Sequence, residues 1–251
     1  VRVRNEHAAL KTAIVHGGGN AIDITMDDYR RLVPAEELAN HPESGPSCRT
    51  KLFEQHARVR KLLADQGVPL VSPDSQKDAF CQVFTRDPCF AVGDTLFVGG
   101  LRDEWRHPET AGLGGIRESV GRVVPLSDGG ATIEGGDVMV LDPGNRVLVG
   151  MNRHTNEAGF RLLANALGGS VEVVAVPHHA LHLDCCLAPL PNGEALYAAN
   201  KLPDASLAVL GRYFSRLVPL DPCEAALHLA ANVFWIDERR VVSGVAPKKT
   251  N

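Results

Sequence analysis

The sequence predicts an α/β fold of five repeated αβ units, and three observations carry that prediction. Short runs recur on one plan, a polar turn followed by an apolar strand: GDTLFVG at 93–99, GNRVLVG at 144–150, NGEALYA at 192–198 and DERRVVSG at 237–244. Each is preceded by another apolar run, at 90–92, 138–141, 185–190 and 232–236, so each turn joins two strands as in a hairpin. Helical patterns fill the gaps, and the whole unit returns about every 50 residues, which marks a repeat architecture. Such units bury their apolar faces only against one another, and a closed, propeller-like ring satisfies all of them at once.

Taken in order, the apolar run 10–15 opens the first unit. Residues 21–46 are polar and proline-containing, and read as a loop or lid beside it. Segment 48–66 is helical in pattern, with Leu52, Phe53, Val59, Leu62 and Leu63 as its apolar positions. Gly112-Leu113-Gly114-Gly115 follows no strand and lacks the third glycine of a dinucleotide turn, so it reads as a helix interruption. Gly17-Gly18-Gly19 lacks the Lys-Ser/Thr of a phosphate loop and reads as a flexible turn or a substrate-side loop. Segment 156–167 carries Phe160, Leu162, Leu163 and Leu167 and stops at Gly168-Gly169, a helix ending. Two shorter helical patterns cover 204–213 and 222–230.

Composition narrows the class. The 251 residues are 44% hydrophobic and 22% charged, ordinary values for a globular chain with a sizeable core. The net charge of −4 comes with no basic stripe, which argues against a nucleic-acid partner. No apolar run approaches the about 18 residues of a membrane span, and VRVRNEHAAL lacks a signal-peptide core, so the expected location is cytoplasmic. There the six cysteines are expected as reduced thiols, and without a CxxC pair a structural zinc knuckle is not expected. Residues 1–251 read as a single catalytic domain. The start at Val1 and the stop at APKKTN suggest a piece of a longer polypeptide that lacks the C-terminal part of its last unit.

The densest chemistry lies in PHHALHLDCCLAPL at 177–190, which holds His178, His179, His182, Asp184, Cys185 and Cys186. If this segment is extended, His182, Asp184 and Cys186 share one face. Polar residues also recur where other hairpins begin, in FTRDP at 84–88 and IEGGD at 133–137. In a ring of similar units, equivalent strand ends converge, which would bring Asp87, Glu134, His182 and Asp184 into one pocket. Singly, Asp87-Pro88 reads as a turn and Glu134-Gly-Gly-Asp137 as a tight bend; their equivalent placement favours the joint reading. A metal-dependent hydrolase using His178, His179, His182, Asp184 and Cys186 is a remote alternative. Against it, His178 and His179 point to opposite faces of a strand, and no HExxH spacing exists.

FTRDP, IEGGD and HLD, in this order and at these spacings, resemble the motifs of the guanidine-modifying superfamily, the penteins. Its members include arginine deiminases, dimethylarginine dimethylaminohydrolases, agmatine deiminases and amidinotransferases. The resemblance covers 10–251 and implies a five-fold pseudo-symmetric αβ propeller of ββαβ-type units. It implies a cysteine-dependent hydrolase that cleaves a guanidino C–N bond of arginine or an N-methylated arginine, giving citrulline with ammonia or a methylamine. By the same resemblance Asp87 and Asp184 would grip the planar guanidinium. His182 would act as acid and base, and Glu134 would orient its imidazole. Arg86, Arg106 and Arg153 would meet the substrate's carboxylate end. The family's nucleophile is a cysteine near the C-terminus, expected here beyond Asn251. Cys185 and Cys186 lie beside the histidine rather than across from it, and the charge of Asp184 disfavours a thiolate there. No cofactor and no metal are implied. The partners are a small guanidino substrate and at most a second copy in a homodimer, with no nucleic acid and no membrane. The alternatives are an amidinotransferase, whose relatives tend to carry Asp where Glu134 stands, and a non-catalytic guanidine-binding protein.

Overall fold

A computed structural model describes residues 3–17, 49–77, 79, 81–118, 120–141, 144–223, 225 and 230–243. The expected loop or lid at 21–46, Cys48, Gly18, Gly19 and the C-terminal residues 244–251 lie outside the described residues. The chain groups into two compact units, one of 12–85 with 103–119, the other of 1–11, 86–102 and 120–251.

In the first of these, β1 (Ala13–Ile14) pairs in parallel with β2 (Leu70–Val71), and the helix Arg49–Asp65 lies between them in sequence. Arg60 on that helix donates from Nη1 to the Val15 carbonyl at 2.7 Å and to Ser72 Oγ at 2.8 Å. One guanidinium thereby ties together the chain after each strand. The expected apolar face of this helix is corrected in part. Leu63 is buried, whereas Phe53, Val59 and Leu62 are 40–50% exposed. The helix interruption at 112–115 is observed between Pro108–Ala111 and Gly114–Glu118. Its cause is contact: a Cβ on Gly112 would strike the Gln82 amide nitrogen and the Asp74 carbonyl.

In the second unit, three sheets follow one plan, an antiparallel hairpin whose second strand pairs in parallel with a third. They are β3 (Cys89–Val92), β4 (Thr95–Gly99) and β5 (Arg122–Leu126); β6 (Val138–Leu141), β7 (Arg146–Met151) and β8 (Glu172–Pro177); and β9 (Leu187–Pro189), β10 (Ala195–Tyr197) and β11 (Leu217–Pro219). A fourth hairpin joins β12 (Val233–Asp237) and β13 (Arg240–Ser243). All four hairpins are those the sequence pattern marks.

The helix Glu157–Leu167 crosses from β7 to β8, as a parallel return requires. Asn156 caps it by accepting from the Gly159 amide at 2.9 Å, and Gly168 ends it at φ 69°. The helix Asp204–Leu210 makes the equivalent crossing to β11. Strand β6 is buried on both faces, which is why it reads as an unbroken apolar run. Val138 and Val140 face one core with Phe90, Phe97 and Leu163. Met139 and Leu141 face a second core with Leu183, Leu187 and Leu210. Among the described residues no helix is long and apolar enough to cross a membrane.

Candidate active site

Three reactive side chains stand immediately ahead of first hairpin strands in the second unit. Asp87 precedes β3, Glu134 caps the 3-10 turn Gly135–Asp137 ahead of β6, and His182 caps the 3-10 turn Leu183–Cys185 ahead of β9. The extended reading of 177–190 is therefore corrected: β8 ends at Pro177 and the chain then coils, so the two-residue alternation does not apply. What coils it is Asp137. Its Oδ1 accepts from the Leu183 amide at 2.8 Å and faces His178 Nε2 at 3.0 Å, and its Oδ2 accepts from Thr155 Oγ1 at 2.7 Å.

The glycines of IEGGD are dictated by close approach. A Cβ on Gly135 would strike the Arg86 carbonyl, and one on Gly136 would stand 2.7 Å from His182 Cγ and Nδ1. The Gly135 amide also donates to the Asp87 carbonyl at 3.0 Å, stitching the Asp87 and Glu134 segments together.

His182 sits between two carboxylates. Its Nε2 is 2.8 Å from Glu134 Oε2, and its Nδ1 is 3.6 Å from Asp87 Oδ1. Burial disfavours the imidazolium, but the hydrogen bond to Glu134 and the charges of Asp87, Asp137 and Glu134 outweigh it and lift the pKa to about 9. Burial likewise works against the Glu134 carboxylate, yet hydrogen bonds from His154 and His182 hold it well below the usual carboxylate range. At neutral pH the pair is imidazolium and carboxylate, with a proton held ready on His182.

The other expected residues divide. Asp184 is brought to the same region, its Oδ2 3.3 Å from Arg86 Nε. Burial pushes its pKa up while the Arg86 charge opposes that. Arg86 acts as an internal strap, donating to the carbonyls of Gly135 and Val138 at 3.1 and 2.9 Å and to Glu6 Oε2 at 3.1 Å. Arg106 belongs to the other unit, where it is buried in a two-pronged pair with Glu109 at 2.8 and 2.9 Å. Arg153 is half-buried, and its Nε donates to His154 Nε2 at 3.3 Å.

Burial raises the thiol of Cys185 well above its ordinary value and pushes Cys186 up to about 12, and the Asp184 charge adds to both. Neither supplies a thiolate near neutrality. The metal set of the remote alternative is not assembled: His178 is spent on Asp137, and the Cys186 thiol faces the Leu183 carbonyl at 3.4 Å.

One residue of the site was missed in the sequence. His154 is buried, its Nδ1 3.3 Å from Glu134 Oε1, and its ring lies edge-on to His182 with centroids 5.4 Å apart. The available signal was a histidine beside Arg153 in a polar turn directly after an apolar strand. Glu134, His154 and His182 place three ligand-type atoms within 4.8 Å of one another; hydrogen bonding to the Glu134 carboxylate already engages both rings.

The α/β fold matches solved proteins of the pentein fold, and comparison with known sequences adds the family. A family model described as arginine deiminase matches residues 77–202, which spans Asp87, Glu134, His182 and Asp184. The chain belongs to the arginine deiminase family. An uncharacterized protein of Bacillus subtilis, YkgA, is 30% identical over 197 residues, covering 76% of this chain and 65% of its own length. An arginine deiminase of Mycolicibacterium gilvum is 29% identical over 177 residues, covering 66% of this chain and 44% of its own. The chain thus matches less than two thirds of either relative's length.

Among solved structures, DDAH from Pseudomonas aeruginosa, a mutant complexed with citrulline, aligns with a TM-score of 0.77 at 21% identity, over 96% of this chain and 87% of that one. SxtG, an amidinotransferase from Microseira wollei, aligns with a TM-score of 0.74 at 17% identity, over 97% and 85%. The N-terminal domain of ArgZ, a cyanobacterial arginine dihydrolase bound to substrate, gives 0.73 at 17%, over 89% and 80%.

Proposed function

We propose that the protein is a cysteine-dependent amidine hydrolase that cleaves a guanidino C–N bond of arginine or an N-methylated arginine. The observation that carries this reading is His182, clasped by Glu134 at 2.8 Å and facing Asp87 at 3.6 Å. A group meant to protonate a departing amine needs a held proton and fixed orientation, and this arrangement supplies both. Asp87 and Asp184 would grip the guanidinium, with Arg153 toward the substrate's carboxylate end. Arg86 would act by holding Asp184.

The nucleophile would be a cysteine beyond Asn251. Its thiolate attacks the guanidinium carbon, the C–N bond breaks, and the amine leaves with the proton of His182. Neutral His182 then takes a proton from water, and the hydroxide adds to the thiouronium carbon. The adduct collapses with its C–S bond breaking, releasing citrulline and restoring the thiolate as the hydroxyl proton passes to solvent or the departed amine. The five sheets would be the blades of a five-fold αβ propeller, supported by the shared hairpin-plus-parallel-strand plan of the three complete ones. A location in the cytoplasm and a homodimer fit this reading.

Amidinotransferase neighbours favour one second reading, transfer of the amidino group to an amine rather than to water. Both are tested by incubating the full-length natural protein with equal arginine and asymmetric dimethylarginine and identifying products by mass spectrometry. Citrulline is expected, its co-product (ammonia or dimethylamine) naming the substrate. Ornithine without citrulline would turn the reading to amidino transfer or to a different hydrolysis. No product from either compound overturns the hydrolase.

A further inference from the structure

We propose that His154 is a positioning residue: a second imidazole, fixed as a one-proton donor, that pins one oxygen of Glu134 while the other meets His182. The inference deepens the reading of His182 as acid and base and rests on it. Its basis is the tautomer. A guanidinium has N–H groups and no lone pair, so His154 Nε2, 3.3 Å from Arg153 Nε, must accept. The ring proton then sits on Nδ1, which faces Glu134 Oε1 at 3.3 Å. The Arg102 amide donates to the same oxygen at 3.1 Å.

The turn is itself held. Asn152 Oδ1 accepts from the His154 and Thr155 amides at 2.7 and 3.1 Å, and Asn152 Nδ2 donates to the Leu181 carbonyl at 2.8 Å, one residue before His182. Glu134 Oε1 therefore accepts from two different segments, and Oε2 faces His182. A carboxylate anchored at one oxygen cannot swing, and the imidazole it orients stays aimed. The two rings differ in their surroundings. His182 is faced by Glu134 and Asp87, with the charges of Asp137 and Asp184 acting on it and on its neighbours. His154 is faced by Glu134 and the Arg153 cation.

The test uses the full-length natural protein carrying His154→Ala, His154→Asn or His154→Gln. The asparagine amide replaces the Nδ1 donor nearly in place, whereas the longer glutamine puts its donor at the far side of the ring. His154→Ala and His154→Gln are expected to lose about 10- to 100-fold in kcat with KM within about threefold, and His154→Asn to recover most of it. The second readout needs no turnover: the proton NMR resonance of His182 Nε2–H, sheltered by Glu134. It is expected in the parent protein and in His154→Asn, and broadened by exchange with water in His154→Gln and His154→Ala. If His154→Ala does not fold, the Asn and Gln variants decide. Retention of the resonance in His154→Gln, or equal behaviour of the Asn and Gln variants, overturns the proposal. If the parent turns over neither arginine nor dimethylarginine, the resonance still decides His154, so the two readings fail separately.

Discussion

Glu134 and Asp137 stand three residues apart in one turn, both are buried, and each holds a histidine, yet the two pairs are built for opposite ends. In the Asp137 pair, His178 Nδ1 accepts the Ala180 amide at 3.2 Å, which fixes the ring proton on Nε2, facing Asp137. Asp137 spends its remaining capacity on the Leu183 amide and the Thr155 hydroxyl. Every bond is made to a fixed partner, and a Cβ on Gly150 would stand 2.6 Å from His178 Nε2, so nothing there has room to move. In the Glu134 pair, both nitrogens of His182 face carboxylates, and among the described residues no backbone donor meets Nδ1. One imidazole is a strut and the other is proposed as the proton carrier, and the difference is what its second nitrogen meets.

The widest separation should come from the rate. His182→Ala is expected to lower kcat by about 10³-fold or more, the scale of general acid–base catalysis, while circular dichroism shows the fold retained. Activity surviving in that variant would remove His182 from the chemistry. The Asp137 pair should answer in stability instead. Asp137→Asn leaves one buried partner unmatched and is expected to cost about 2–4 kcal/mol in urea unfolding, with the folded fraction still turning over. If Asp137→Asn kept its stability and lost rate as His182→Ala does, the division between strut and carrier would collapse.

The smallest effect is on the pH dependence of stability. His182 is raised from an ordinary 6.5 to about 9, so its contribution is full below pH 6.5 and is lost as pH rises through 9. Glu134 is depressed from 4.5, so its contribution is present above pH 4.5 and is lost as pH falls below it. Urea midpoints measured across this range should be highest near pH 5–6, and His182→Gln should flatten the alkaline limb. An unchanged alkaline limb in that variant would assign the loss to other groups.

Much of this protein is legible from the chain alone. The four hairpins and the crossing helix with its Gly168 stop follow from turn chemistry and periodicity over a few residues. So do the residue types of the site, because FTRDP, IEGGD and HLD carry carboxylates and an imidazole at equivalent strand entries. The helical pattern of 48–66 is borne out at Arg49–Asp65, though Phe53, Val59 and Leu62 stay 40–50% exposed, since periodicity marks an apolar stripe without saying which of its residues a partner surface covers. The alternation assigned to 177–190 failed because Asp137, 46 residues away, takes the Leu183 amide into a 3-10 turn.

Sequence determined which groups are present and roughly where each strand begins. Tertiary structure decided which groups meet: Glu134 with His182 across 48 residues, Arg86 with Glu6 across 80, and His154 with Glu134 from the turn after β7. Local periodicity is set by the backbone period and senses only near neighbours. A pairing across the fold depends on how two separate turns pack, and a shift of one ångström there exchanges a hydrogen bond for a gap.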